Sequence, residues 1–198
     1  FYELLDWSPD STRLAFADNS QTFFWMDADS GKVTKIESAY IYSPGGVPIR
    51  YDWSPDSKWL AYTIKTNTLE TTLKLYSLEQ AKGYQVTDGL GYVSDPVFDR
   101  NGKYLYFLGS TDAGPATDWF AMWSQDMEPN NSLYVAVLAN TTPNPLARES
   151  DEEKAARAAT PPVALAPAAP AAADAPAPTA APPAVTRIDP EGIEFRII

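Results

Sequence analysis

The chain has 198 residues and a net charge of −11, from 15 basic and 26 acidic side chains, and it contains neither histidine nor cysteine. That balance excludes a phosphate-binding surface of clustered Lys and Arg, which nucleic acid requires. The missing residue types exclude a Ser-His-acid triad, a Cys-His pair, a disulfide framework and most zinc sites assembled from this chain alone.

In chain order, alternation of apolar and polar residues predicts strands at 4–7, 13–17, 21–26 and 32–36, with Asp29-Ser30-Gly31 turning the last pair. Between the first two strands lies Trp7-Ser8-Pro9-Asp10. A second set is predicted at 49–53, 59–63, 72–77 and 84–87, with Trp53-Ser54-Pro55-Asp56 in the same place. The third set falls at 96–98, 104–108 and 133–138, its fourth strand displaced, and carries the degraded copy Phe98-Asp99-Arg100-Asn101-Gly102. The copies begin at positions 7, 53 and 98, at intervals of 46 and 45 residues. A fixed period of that size marks one supersecondary unit stacked beside its copies, most often a blade of a β-propeller.

The residues around each turn support the same reading. Leu14 and Phe16, Leu60 and Tyr62, and Leu105 and Phe107 point to one side of their strands, while Ala15, Ala61 and Tyr106 point to the other. Both faces are therefore largely apolar, as a sheet sandwiched between two neighbours needs. Six tryptophans, Trp7, Trp25, Trp53, Trp59, Trp119 and Trp123, are expected to supply large buried areas. In the turns, Pro9 and Pro55 preset φ, and Ser8, Ser54, Asp10 and Asp56 can bond to the local backbone. In the third copy Asn101-Gly102 offers positive φ instead. Turn chemistry accounts for these aspartates without a catalytic or metal-binding role. No segment shows a sustained helical stripe, and residues 78–82 allow at most one helical turn.

The expected fold is thus all-β, a partial β-propeller of about three four-stranded antiparallel blades with repeats near 1–42, 43–90 and 91–142. A closed ring takes about four to eight blades, so three repeats form an open arc, and a fragment of a longer polypeptide is expected. Residues 143–184 are rich in Ala and Pro, a composition that favours extended solvated chain, and a disordered insertion is expected there. At 185–198, Ile188, Ile193, Phe195 and Ile197 resume a strand-like alternation around Asp189-Pro190-Glu191-Gly192, predicting returning propeller strands. A second insertion, 109–131, carries an aromatic cluster in which Trp119, Phe120 and Trp123 form a candidate contact surface; the alternative is that the rings cap the blade edge. No catalytic, cofactor-binding or metal-binding residues are assigned. Residues 27–31 resemble a calcium loop but lack its remaining ligands and read as a hairpin turn, and Glu152 and Glu153 read as solvated charge. Neither 43–46 nor 88–91 has the strand and helix that frame a phosphate cradle.

The repeat W-S-P-D-S-x-x-L-A-[FY] resembles the WD40-like repeat of TolB, of prolyl-oligopeptidase-type propellers and of tricorn protease. The longer run TDGLGYVSDPVFDRNGKYLYFL at 87–108, continuing through STDAGPATDWF, SLYVAVL, SDEEK and RIDPEGI, is similar to the N-terminal propeller region of tricorn-type serine peptidases of the S41 class. The resemblance implies a non-catalytic segment that gates or channels peptide substrates to a catalytic core outside this chain, with the remaining domains of an oligomeric parent as its partners. It implies a cytoplasmic location, with the periplasm as the alternative, and no cofactor; no stretch of the sequence approaches the apolar length of a membrane span, and the net charge argues against nucleic acid as a partner. Two other readings stay open: a TolB-like propeller that docks a protein partner, and the propeller of a prolyl-oligopeptidase-type enzyme.

Overall fold

Period-two alternation between tight turns dictates strands, and antiparallel meanders are what form. The computed structural model describes residues 2–40, 49–67, 70–111, 130–147 and 184–198. In chain order the strands are β1 Tyr2–Trp7, β2 Arg13–Asp18, β3 Thr22–Asp27, β4 Val33–Ser38, β5 Tyr51–Trp53, β6 Trp59–Lys65, β7 Thr71–Ser77, β8 Lys82–Gln85, β9 Tyr92–Phe98, β10 Tyr104–Ser110 and β11 Ser132–Val137. They build three sheets with orders β1-β2-β3-β4, β5-β6-β7-β8 and β9-β10-β11, every neighbouring pair antiparallel. These are successive blades of a partial β-propeller.

The blades stack through two apolar layers, and β6 feeds both. Leu60, Tyr62 and Ile64 meet Ala15, Ala17 and Phe23 of the first sheet. Trp59 and Ala61, with Leu73 and Leu75 of β7, meet Phe98, Leu105 and Phe107 of the third. All residues of β6 from Trp59 to Ile64 are buried, as expected of a strand covered on both faces. Small and large side chains interdigitate across the first layer, where the Phe23 ring lies 4.8 Å from that of Tyr51 and 5.2 Å from that of Tyr62.

Several expectations need correction. Trp7 is 51% exposed, whereas Trp53, at the same place in the repeat, is 4% exposed; Trp53 faces the first sheet, and among the described residues no sheet covers Trp7. Strand β9 begins at Tyr92, four residues before the predicted start, because Pro96 sits in a bulge and not at a strand end. Tyr106 pairs with Val97 but Leu108 with Ser94, which leaves Asp95, at φ 50, and Pro96 together opposite Phe107. The first sheet has the same bulge at the same place in the repeat, with Leu4 at φ 57.

The strand pattern expected after residue 185 is replaced by a 3-10 helix over Ile193–Arg196. Three residues per turn put Ile193 and Arg196 on one side. Ile193 is fully buried against the third sheet and Phe195 is 85% exposed. Only Ile197 and Ile198 pair as a strand: Ile197 bridges Ala136, and Ile198 exchanges backbone hydrogen bonds of 3.0 and 2.9 Å with Val135. Among the described residues the third blade has three full strands and the beginning of a fourth.

Residues 1–142 and 183–198 form one compact unit and residues 143–182 a second. Of the second, 143–147 are described, with Asn144 accepting from the Leu146 amide at 2.7 Å in a local turn. The Ala/Pro-rich stretch from 148 to 183 lies outside the described residues.

Candidate functional site

The repeated turns have one hydrogen-bond scheme. Ser8 Oγ donates to Asp10 Oδ1 at 2.6 Å and accepts from the Arg13 amide at 3.0 Å, while Asp10 Oδ1 also accepts from the Thr12 amide and hydroxyl at 3.0 and 2.8 Å. Ser54 repeats this, donating to Asp56 at 2.7 Å and accepting from the Trp59 amide at 2.9 Å. In the third copy Asp99 takes the serine's place, its Oδ1 accepting from the Lys103 and Tyr104 amides at 2.6 and 3.0 Å. The fifth turn position is left-handed in all three copies: Ser11 at φ 58, Ser57 at φ 60 and Gly102 at φ 65. Burial raises the Asp10 carboxyl, but the hydrogen bonds from Ser8 and Thr12 outweigh it and hold the group below its ordinary range.

These turns also clip one blade to the next. The Asp10 amide donates to Ser57 Oγ at 3.1 Å, and Arg13 Nη1 donates to the Ser57 carbonyl at 3.2 Å. Asp56 Oδ2 accepts from the Thr186 amide at 2.9 Å, which brings the returning segment onto the second turn. Gly102 makes room for that approach, since a Cβ there would stand 2.5 Å from Thr186 Oγ1 and 3.0 Å from Thr186 Cα. On the first strands, Asp52 Oδ2 accepts from the Phe98 amide at 2.7 Å and so ties β5 to β9.

Burial of Asp52, with a smaller contribution from the like charge of Asp6, raises its carboxyl above the ordinary 3.8 despite the bond from Phe98. The folded chain thus holds this proton more tightly than the unfolded chain. The contribution favouring folding is present below 3.8 and is lost as pH rises through the raised folded value. Asparagine keeps the acceptor and removes the charge. Asp52→Asn is expected to raise the urea midpoint at neutral pH, with the gain disappearing below 3.8; a midpoint lowered at neutral pH but not below 3.8 would show that the charge itself is needed.

One organising residue carried no sequence signal. Arg196 donates Nε to the Val137 carbonyl at 3.0 Å, Nη1 to Asn140 Oδ1 at 2.6 Å and to the Glu191 carbonyl at 3.1 Å, and Nη2 to the Leu138 and Asp189 carbonyls. A lone arginine near the end of a sequence reads as surface charge; only the 3-10 turn aims its fork at these carbonyls.

An apolar cleft of about 600 Å³ lies where the outgoing end of the second sheet meets the third. Tyr92, Val93, Phe107, Tyr134, Phe195 and Ile197 line it, with Asp88 and Glu194 as its charged residues. The Phe107 and Tyr134 rings stack at 5.6 Å, and Gly109 lets the Tyr134 ring lie close, since a Cβ there would meet it at 3.0 Å. Such a surface can bind apolar side chains. Among the described residues no group of three or more His, Cys, Asp or Glu side chains is placed to hold a metal, and no helix is long and apolar enough to cross a membrane. The candidate contact residues Trp119, Phe120 and Trp123, and Glu152 and Glu153, lie outside the described residues.

No protein-family model matches the sequence. A tricorn-like protease C-terminal subunit from Sulfurisphaera tokodaii is 28% identical over 68% of this chain and 15% of its own length. A tricorn protease homolog from Saccharolobus solfataricus is 27% identical over 56% of this chain and 10% of its own length. A crystal structure of the tricorn protease superposes on the whole of this chain and on 17% of its own chain, with a TM-score of 0.61 at 17% identity. The chain is a partial β-propeller similar to a region of tricorn-type proteases. It spans between a tenth and a sixth of the length of these relatives. The structural likeness establishes the fold.

Proposed function

We propose that this tricorn-like region is the non-catalytic, substrate-admitting part of a serine peptidase whose reactive groups lie elsewhere in a longer polypeptide. The observation that carries the reading is the sequence relationship to tricorn-like proteases over 68% of the chain. With no histidine or cysteine in its sequence, the region contributes shape and surface. Adjoining first strands such as β5 and β9, joined through Asp52 and Phe98, make a stiff wall. Such a wall selects by width: an extended peptide passes and a folded domain does not. Asp6, Asp52 and Asp95 stand on these first strands, and their charge disfavours anionic peptides. The test is to delete residues 1–142 from the full polypeptide and compare cleavage of short peptides with that of a folded protein. The expected result is loss of discrimination by size. Unchanged discrimination would overturn the gating role and favour the docking alternative.

A further inference from the structure

Leu90, 77% exposed, and Phe195, 85% exposed, both line the cleft between the second and third sheets, and neither belongs to the apolar layers that join the sheets. Each has a carboxylate beside it. Asp88 Oδ1 accepts from the Leu90 amide at 3.0 Å, and Glu194 precedes Phe195 in the 3-10 turn. Among the described residues that line the cleft none is basic. Its walls are held on both sides. Thr71 Oγ1, buried, donates to the Val93 carbonyl at 2.6 Å and accepts from the Val93 amide at 2.8 Å, which ties β7 to the start of β9. On the other side Ile193 is fully buried and Arg196 is bonded to the Val137 and Leu138 carbonyls, so Glu194 and Phe195 between them are presented by a fixed turn. An aromatic ring facing water from such a turn adds nothing to the core, and little ordering is lost when a partner covers it.

We propose that this cleft is a capture site for an extended peptide, taking one large apolar or aromatic side chain between Leu90 and Phe195 and placing Lys or Arg against Asp88 and Glu194. Its volume of about 600 Å³ is that of a ligand pocket, commonly about 300–1,000 Å³. The apolar lining supplies the anchor by removing a side chain from water. The two carboxylates set the sign of its surroundings: they attract cations, they repel anionic peptides, and the Phe195 ring offers a second contact to a cation beside Glu194. In an extended chain, side chains two residues apart share a face, so the cations that reach the rim stand two positions before and after the apolar anchor. That such a peptide comes from the substrate stream of a peptidase rests on the function proposed above; the preference of the cleft does not.

The probe is the pentapeptide Lys-Gly-Phe-Gly-Lys with blocked ends, titrated into the chain at an ionic strength of about 0.01 M, where charges act over about 30 Å, and followed by backbone amide NMR shifts. Saturable shifts are expected at Leu90, Tyr92 and Phe195. Glu-Gly-Phe-Gly-Glu should bind about tenfold more weakly, since two attractions become two repulsions. Lys-Gly-Ala-Gly-Lys should bind at least about tenfold more weakly, through loss of the buried ring. Asp88→Asn with Glu194→Gln keeps the acceptor for the Leu90 amide and is expected to bring the Lys and Glu peptides to equal affinity. Phe195→Ala truncates an exposed ring and is expected to weaken Lys-Gly-Phe-Gly-Lys about fivefold. Absence of saturable shifts at these residues overturns the proposal, as does binding unchanged by Phe195→Ala. Equal affinity for the Ala peptide would show that charge alone gathers the probe, and equal affinity of the unmodified chain for the Glu peptide would remove the requirement for cations; each overturns it. Binding that appears only after residues 112–129 are replaced by a Gly-Ser linker assigns the cleft to that segment, and binding lost on dimerisation in sedimentation assigns it to a second copy, both against the proposal. Because binding is read without cleavage, its failure leaves the gating role to its own size-discrimination test, and failure of that test leaves the peptide preference of the cleft intact.

Discussion

Trp53→Ala is expected to destabilise the chain by about 3–5 kcal/mol, as truncation of a buried aromatic does. Trp7→Ala, at the matching place in the repeat, is expected to change stability by less than about 0.5 kcal/mol. Trp53 is 4% exposed and packs with Leu60, Tyr62 and Ile49 in the layer shared by the first two sheets, so its removal leaves a cavity that those neighbours cannot close. Trp7 is 51% exposed, and truncating it leaves no enclosed void. Folding stabilities are commonly about 5–15 kcal/mol, so Trp53→Ala removes a large share of the total. Urea unfolding of the two variants beside the parent measures both values. Equal losses would mean that Trp7 is covered in solution or that the first layer is not packed as described.

Gly102→Ala is the second large effect, expected at about 2–5 kcal/mol. The left-handed backbone contributes about 1–2 kcal/mol, and forcing a methyl into an occupied site about 1–3 kcal/mol. Ser11 and Ser57 hold the same φ with a side chain, so the conformation alone is tolerable and the collision decides the cost. The new Cβ would stand 2.5 Å from Thr186 Oγ1 and 3.1 Å from Thr186 Cβ. The substitution should therefore lift the returning segment from the second and third turns, with loss of the bond from the Thr186 amide to Asp56. Limited proteolysis near residue 186 should accelerate along with the fall in urea midpoint. Thr186→Ala removes a buried hydroxyl that has no hydrogen-bond partner, so alone it should cost little. Combined with Gly102→Ala it should recover part of the loss. Strict additivity of the two changes would show that they do not meet.

Much of the scaffold was legible because it is built from local chemistry. The Ser8 to Asp10 and Ser54 to Asp56 bonds span two residues, and the alternation that makes β6 buried on both faces is visible in six consecutive side chains. What failed was what depends on distant partners. Pro96 signals a break in pairing, but whether it ends a strand or sits in a bulge depends on how β10 continues past it, and β10 continues to Ser110. The alternation of Ile193, Phe195 and Ile197 suits a strand, yet the carbonyls of Val137 and Leu138 and the fork of Arg196 favour a 3-10 turn. The candidate cleft joins Tyr92, Tyr134 and Phe195 from three separate segments, and nothing in any one segment announces it.

The amino-acid sequence by itself determined the repeat, the strand-forming segments between its turns and the hydrogen bonds inside each turn, because these depend on residues a few positions apart. Tertiary structure alone decided which copy of a repeated residue is buried. Trp7 and Trp53 stand in identical pentapeptides, and Ser11 and Ser57 in identical turns, yet their exposures differ because burial is set by the sheet stacked above each one. That sheet is brought over by segments some forty residues away, and the free energy of removing apolar surface from water follows the neighbour in space and not the neighbour in the chain.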